Sequence, residues 1–531
     1  MRICAFHVGH DCSVCVFEGT ELVYYKMAER VSRVKHSERI GCLINLLPWK
    51  DYDTVILSYY SDDGIITTNQ IGNASEAINL IESNLKFLSF KVIQHEHHIN
   101  HAFSGLYSAG IENATVLVMD GAGSHFNIFD SSTELEIETI YDITNNLPKI
   151  VHKRFAHLPN SVVQKHKQSG SIWESQIDWL KELVKKELPT DIIFNGFEHT
   201  SSPSVAGNFL LCSVESGFGG FGAGKVMGLA QYKHKEHLLE DKWSSLVDKC
   251  NQVQIQSEKR AAELLQIAIS KGTHKDIILT GGYALNCVNN TKLLSQLPEG
   301  YRLHIDPVCF DAGQSIGAAY KEMVQSIDYS STKLKSIYIG KVNNTLSHPE
   351  KQYADYDIAA DYLVDGKIIS IFQGNSEAGQ RALGNRSILF DPRMQNGKDL
   401  VNLIKRRESF RPFGATVLEE HAAEWFDMKG LDCSPYMQFA LPVKNSQIPA
   451  VTHVDGTCRI QTVNPEQNLH LYNLIKRFYE KTGVPILGNT SFNLAGEPLV
   501  ETIDDAVKTF YNAKNNRLFC IFLPESNEMI Q

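Results

Sequence analysis

Residues 3–23 read ICAFHVGHDCSVCVFEGTELV, and residues 114–135 read ATVLVMDGAGSHFNIFDSSTEL. Each stretch is an apolar strand, a polar glycine-containing turn and a second apolar strand, which is a hairpin signal. Two copies of one plan predict a duplicated domain. The turns place His10, Asp11 and Asp120 at strand ends, where functional side chains tend to sit.

Between the copies, residues 76–89 carry apolar side chains at helical spacing. The short strand FKVI follows, and HHINHAFSGLYSAG (97–110) reads as a helix ended near Gly110. Residues 258–271 form an amphipathic helix that feeds the strand DIILTGG. YALNCVNNTKLLSQL, directly after it, reads as another helix. Residues 326–356 are polar and aperiodic and read as a linker. The chain therefore divides into a domain over residues 1–335 and a second over 336–531.

A chain of 531 residues is long enough for two such domains. Its net charge of −10 argues against a surface built throughout for nucleic acid, though not against a local basic patch. Residues 1–19 lack the sustained apolar core of a secretion signal. No stretch approaches the roughly 18 uncharged apolar residues of a membrane span. Eleven scattered cysteines without a framework suit a reducing compartment, so a cytoplasmic protein with no membrane partner is expected. The lone CxxC, Cys12 and Cys15, reads as buried thiols in a strand.

Residues 95–101 read HEHHINH. His97 and His101 are four apart, so on a helix they share one face and can share one ion. His98 stands where a zinc peptidase of the HExxH type needs glutamate, so the general base is missing. Two more ligands are needed, and Asp120 in VLVMDGAG and Asp311 in PVCFDAGQSIGAA are the candidates. Two histidines with carboxylates suit iron(II), with zinc or manganese as alternatives. The competing reading makes these histidines surface or capping residues, a role expected in any case for His95 and His98.

GFGGFGAGKVMGLAQY (217–232) is glycine-rich around Lys225 but fails the Walker A spacing, since Val226 follows the lysine. Its amides could still cradle phosphate with Lys225 as counter-charge, or it is simply a flexible loop. In LTGGYALNCVNN, Gly281 and Gly282 lie between a strand and a helix, a place where backbone can approach a ligand, and Asn286 could reach a ribose. Residues 381–411 hold eight cations (Arg381, Arg386, Arg393, Lys398, Lys405, Arg406, Arg407, Arg411) against three acids (Asp391, Asp399, Glu408). A local +5 within an acidic chain asks for an anion, the competing reading being a solvated basic face. Asn489, Thr490, Ser491 and Asn493 offer a polar cradle that could complete such a site, or are a structural turn.

The ordered motifs GHD, HHxxH, MDG, GKxMGLA, GGxALNC, DAG, RALGNRSI, RExFRPF and NTSFN resemble the NodU/CmcH-type O-carbamoyltransferases, from about residue 4 to 505. The resemblance implies an α/β chain. Its N-terminal domain would be an actin-like ATPase fold (a duplicated ribonuclease-H-like unit), similar to the tRNA threonylcarbamoyl transferase. Its C-terminal domain would be YrdC-like. It implies ATP, with Mg2+, and carbamoyl phosphate as co-substrates, a carbamoyl-adenylate intermediate, and transfer to a hydroxyl-bearing acceptor.

Carried onto this chain, the resemblance makes His97, His101, Asp120 and Asp311 ligands of iron(II), and His10 an aid to acceptor deprotonation. Lys405, Arg411, Asn489 and Ser491 would surround carbamoyl phosphate, with Arg381 near the phosphates. Gly281, Gly282, Asn286 and the loop around Lys225 would hold the adenylate. Gln380, Ala223, Gln231 and Gly488 depart from the family's usual residues.

The acceptor is open: a sugar, an antibiotic, another secondary metabolite, or, less favoured, a hydroxymethylated base in nucleic acid. So is a homodimer. Two other classes compete: a nucleotide-binding regulatory protein of actin-like fold without transfer activity, and a metallohydrolase built on HHxxH.

Overall fold

The computed structural model describes residues 1–59, 74–94, 96–129, 132–159, 192–194, 197–200, 204–326, 332–340, 351–514 and 517–531. They form two compact units. The first takes Met1–Ser32, His36–Ala230 and Asp248–Lys335; the second takes Arg33–Lys35, Gln231–Val247 and Ser336–Gln531.

The first unit holds two sheets of one plan. In the first sheet β1 (Arg2–Val8) is central. It pairs antiparallel with β2 (Ser13–Glu18), which pairs with β3 (Glu21–Met27). On its other side run β4 (Asp51–Tyr59) and β5 (Lys86–Ile93), both parallel, giving the order β3-β2-β1-β4-β5. The second sheet is built from β6 (Ala114–Met119), β7 (His125–Phe129), β8 (Ser132–Thr144), β9 (Leu147–Pro159), β10 (Ile192–Phe194), β11 (Phe197–Thr200), β12 (Asp276–Thr280) and β13 (Arg302–Ile305). Its middle runs β9-β8-β6-β12-β13, with the same mixture of antiparallel and parallel pairs. This repeated order is the duplicated ribonuclease-H-like plan of the actin-like class. β1 and β6 are buried along nearly their whole length, which is why both read as continuous apolar runs rather than alternating ones.

Two local readings need correction. The expected second hairpin does not form between consecutive strands: β6 pairs with β8, and β7 pairs with β8 instead. The intervening turn is fastened to β8, with the Gly123 N–H donating to the Glu136 carbonyl (2.6 Å) and the Asp120 N–H to that of Ile137 (3.3 Å). The helix expected over 76–89 spans Ala74–Asn84, and residues 86–89 enter β5, since pairing with β4 outweighs helical spacing there.

β8 also buries a row of carboxylates that no sequence pattern announced. Glu134, Glu136 and Glu138 alternate along the strand and so share one face. Each is paired: Glu134 with His199 (2.9 Å), Glu136 with Lys153 (2.6 Å), and Glu138 with Arg260 (2.8 Å). Buried charges are tolerated only with such partners.

The helix His97–Ala109 ends at Gly110, whose φ of 69° is the left-handed cap. Against it packs the helix Gln314–Ser326. A Cβ on Gly317 would lie 1.8 Å from the Asn100 carbonyl oxygen, so only glycine permits this crossing. The Gln314 side chain adds a cross-helix bond, donating from Nε2 to the His97 carbonyl (3.1 Å).

The second unit is α/β, built on a nine-stranded mixed sheet. Its strands are β14 (Lys351–Tyr353), β15 (Ile368–Phe372), β16 (Arg386–Phe390), β17 (Gly414–Leu418), β18 (Ala440–Pro442), β19 (Thr457–Val463), β20 (Ile486–Ser491), β21 (Leu518–Leu523) and β22 (Glu528–Ile530). Their order is β14-β22-β21-β15-β16-β20-β17-β19-β18. Part of the stretch read as a linker, residues 327–331 and 341–350, lies outside the described residues; β14 belongs to the sheet edge. Gly488 has a local cause: a Cβ there would lie 2.3 Å from the ring of Phe390, its neighbour in β16. Cys12 and Cys15 are both fully buried, as expected for core thiols.

Gly317→Ala should lower stability by about 1–3 kcal/mol through overpacking, read as a drop in the thermal midpoint. A second expectation concerns His152 on β9, which is 7% exposed. Burial, and next the Arg260 charge, lower its imidazole to about 4. It therefore folds neutral. Its share of stability is complete above the unfolded value near 6.5 and is lost as pH falls towards about 4, up to about 3 kcal/mol over that window. His152→Gln should flatten that part of the thermal midpoint's pH profile.

Candidate active site

His97 and His101 stand one turn apart at the start of their helix, 4% and 0% exposed. Asp120 follows β6, and Asp311 opens the turn before Gln314–Ser326. The structure brings one ligand atom of each within 4.8 Å of the others, all four residues being buried. His97 Nε2 lies 3.0 Å from Asp120 Oδ2 and 3.7 Å from Asp311 Oδ1; His101 Nε2 lies 3.6 Å from Asp311 Oδ1.

Three of the four are held from behind. The His97 N–H donates to Ser124 Oγ (3.1 Å), and the Gly282 N–H to Asp120 Oδ1 (3.0 Å). Gly281 makes that bond possible: with φ +87° it passes so close to Met119 that a Cβ would sit 2.3 Å from the Met119 carbonyl oxygen. Ser13 Oγ and Tyr25 Oη both donate to the Ala312 carbonyl (2.8 and 3.1 Å) beside Asp311.

The donor set fits a divalent metal. Both ring nitrogens of fully buried His101 have no hydrogen-bond partner, which is costly unless an ion completes the site. Burial raises the Asp311 carboxyl to about 6, partly offset by His10, so a cation is wanted there. Burial holds His101 well below its usual range, leaving a neutral imidazole ready to ligate. Asp120 is depressed: burial opposes its charge, but the hydrogen bond with His97 foremost outweighs it.

His10 sits at the rim, with Nε2 3.2 Å from Asp311 Oδ2 and 38% of its side chain exposed. Burial disfavours its charged form, but Asp311, Asp11 and Asp120 together hold the imidazole above its ordinary value. His98, expected as a surface or capping residue, is instead fully buried, with its Nδ1 bonded to Thr139 Oγ1 (2.8 Å) on β8. His95 lies outside the described residues.

The other N-terminal candidates are placed differently. Lys225 lies in the first turn of the helix Ala223–Ala230 rather than in the loop, with Nζ 5.5 Å from the Phe218 ring centre. Asn286 is 7% exposed; its Oδ1 accepts from the Asn289 N–H and its Nδ2 donates to Gln254 Oε1. The Gly282 N–H is engaged by Asp120, so in this turn the visible task is holding a carboxylate.

A separate cluster lies in the second unit. Lys405 ends the helix Gly397–Lys405 and is 4% exposed. Its Nζ donates to the Ser491 carbonyl, to Ser491 Oγ (3.1 Å), and to the Asn493 carbonyl and Oδ1 (both 2.9 Å). All four are neutral oxygens. Burial, then Arg407, Lys35 and Arg411, push its ammonium well below the usual range. Such a group gains by meeting an anion. Asn489 is fully buried, and its Oδ1 is left without a hydrogen bond.

Not every cation of the basic run belongs here. Arg386 is fully buried and spent on the carbonyls of Gln373, Gly374, Asn385 and Glu501. Arg393 pairs with Asp391 (2.7 Å). Arg381, half-buried, lies between β15 and β16. Arg459 on β19 was missed. It faces Gly414 across the β17–β19 pair, and its charge is felt by Arg407 and Arg411. A single arginine in an ordinary strand carries no local signal; only the strand pairing reveals it.

A buried histidine–carboxylate cluster in an actin-like unit, and a buried cationic cluster in a second α/β unit, suit a group-transfer enzyme. Comparison identifies the family. The model for the carbamoyltransferase C-terminus matches residues 360–521. Nodulation protein NolNO of Sinorhizobium fredii is 30% identical, over 94% of this chain and 76% of that protein. The 3'-hydroxymethylcephem-O-carbamoyltransferase of Streptomyces clavuligerus is 30% identical, over 96% of each. Full-length HypF, solved in its phosphate- and nucleotide-bound form, aligns over 62% of this chain and 56% of that one, at 14% identity and a TM-score of 0.35, a likeness too distant to assign any residue. The chain belongs to the NodU/CmcH-type O-carbamoyltransferases. It is a carbamoyltransferase, and no helix among the described residues is long and apolar enough to cross a membrane.

His101→Ala should abolish stoichiometric metal in the purified protein, measured by elemental mass spectrometry after loading with iron(II), zinc or manganese. His98→Ala, outside the cluster, should retain it.

Proposed function

We propose that the chain is an ATP-dependent O-carbamoyltransferase that works in two half-reactions, one in a domain centred on residues 1–335 and one in a domain centred on 336–531. Lys405 carries this reading: a buried ammonium bonded only to neutral oxygens suits a phosphate ligand that restores its charge.

In the first half-reaction, Lys405 and Arg411 clamp carbamoyl phosphate, with Asn489 and Ser491 as polar partners and Arg381 towards the phosphates. Water cleaves carbamoyl phosphate to phosphate and carbamate. Carbamate oxygen then attacks the α-phosphate of Mg2+-bound ATP, pyrophosphate leaves, and carbamoyl-adenylate remains. The protein contributes charge neutralisation and alignment of two anionic substrates, which otherwise repel.

In the second half-reaction, Lys225 and the Gly281–Gly282 turn, with Asn286, hold the adenylate. His97, His101, Asp120 and Asp311 would hold the metal, iron(II) being the expected ion. Such an ion supplies Lewis-acid stabilisation of developing negative charge. His10 takes the proton from the acceptor hydroxyl as its oxygen attacks the carbamoyl carbon; the anhydride bond breaks and AMP leaves. The acceptor is a hydroxyl on a small metabolite such as a sugar or an antibiotic, in keeping with the cephem relative. The cytoplasm, where ATP and carbamoyl phosphate are at hand, is the proposed place of action.

Two variants separate the half-reactions. Lys405→Ala should cut pyrophosphate release from ATP and carbamoyl phosphate at least 100-fold (about 2.7 kcal/mol). His97→Ala should retain pyrophosphate release while acceptor carbamoylation, followed as a mass gain of about 43 Da (CONH2 for H), falls below detection. Intact ATP after prolonged incubation of the wild type with carbamoyl phosphate and acceptors would instead favour a nucleotide-binding regulator.

A further inference from the structure

The glycine-rich loop at 217–222 has a second feature that phosphate binding does not use. Gly222 packs so tightly that a Cβ would meet Ser213 Oγ at 2.2 Å, and Ser213 Oγ donates to the Gly219 carbonyl (2.5 Å). The loop so fastened presents Phe221, 51% exposed. An exposed phenylalanine alone says little. This one lies flat on the His36 imidazole, ring centres 3.6 Å apart and planes within 11°. His36 is itself fixed: its Nδ1 is 2.8 Å from Asp11 Oδ1, and its backbone N–H donates to Glu29 Oε2 (3.3 Å). The Phe221 ring centre is also 6.3 Å from that of His10, whose Nε2 is 3.2 Å from Asp311. A braced, exposed aromatic thus stands next to the proposed acceptor base.

We propose that Phe221, braced by His36, is the platform on which a ring of the acceptor packs while its hydroxyl reaches His10. The inference rests on the carbamoyl-transfer reading above and adds the acceptor's chemical class: a hydroxyl carried on, or one carbon from, a ring with an apolar face. The C–H face of a sugar and the face of a fused heterocycle both satisfy this chemistry. The 6.3 Å between the Phe221 and His10 ring centres assigns the platform to the acceptor, whose hydroxyl His10 deprotonates.

The test uses saturation-transfer difference NMR on the full-length chain with four probes: methyl α-D-glucopyranoside, a 3-hydroxymethylcephem, glycerol and AMP. Wild type should saturate ring protons of at least one cyclic probe; Phe221→Ala should lose that signal and Phe221→Trp should keep it. Which cyclic probe responds separates sugar from heterocycle. In turnover with that probe, Phe221→Ala should raise KM about tenfold with kcat changed less than twofold. A thermal midpoint for Phe221→Ala equal to wild type excludes misfolding as the cause.

Signals unchanged in Phe221→Ala, no signal from either cyclic probe, or selective loss of the adenine protons of AMP would each overturn the platform. If the cyclic-probe signals behave as expected but no acceptor elicits AMP release, the platform stands and the carbamoyl-transfer reading fails.

Discussion

Everything at the metal-ready cluster depends on how closely two helices can approach. Gly317 lets the helix Gln314–Ser326 press its backbone against Asn100 on the helix His97–Ala109. Gly313 repeats the device nearby, where a Cβ would lie 2.2 Å from the Val308 carbonyl oxygen and 3.0 Å from Ser104 Oγ. That crossing carries Asp311 to within 4 Å of two imidazoles that lie over 200 residues earlier in the chain. A methyl group at the crossing would pry the helices apart, and the ligand set would be the first thing lost.

The same economy governs the opposite side of the cluster. Gly281 approaches Met119 so that the next amide can hold Asp120, and Ser124 accepts from the N–H of His97. Glu136 on β8 ties that turn down, accepting from Ser124 N–H (3.3 Å) while paired with Lys153. The buried charges of β8 are thus more than a tolerated oddity. Glu136 among them holds the turn on which Asp120 stands and lies 3.5 Å from His98 Nδ1.

In the second unit the constraint is electrostatic. Lys405, Arg407, Arg411 and Arg459 gather where Glu408 and Glu497 are the opposing charges. The fold accepts this because Lys405 is bonded by oxygens and because Arg407 lies over the Phe413 ring, 4.2 Å from its centre, with Nε donating to Asn402 (2.7 Å). The repulsion that remains is what a bound anion would relieve.

Much of this was legible along the chain. Four-residue spacing put His97 and His101 on one face, because a helix repeats locally. The doubled strand–turn–strand plan announced the duplicated domain, because strand patterning is also local. The charge excess between Arg381 and Arg411 pointed to the stretch where Lys405, Arg407 and Arg411 gather, because composition needs no geometry. Other features were decided only in three dimensions. The partner of β6 is a strand one further on, since the intervening turn is recruited by the site. Arg386 is walled in by carbonyls, while Arg459 joins the cations through the pairing of β17 with β19. The Gly-rich loop proved to hold up Phe221 against a histidine from a distant segment. Periodicity and composition are properties of neighbours in sequence, and they fix which elements form and which chemistry they carry; which of those elements meet depends on close approaches between remote backbones, and no local pattern encodes that.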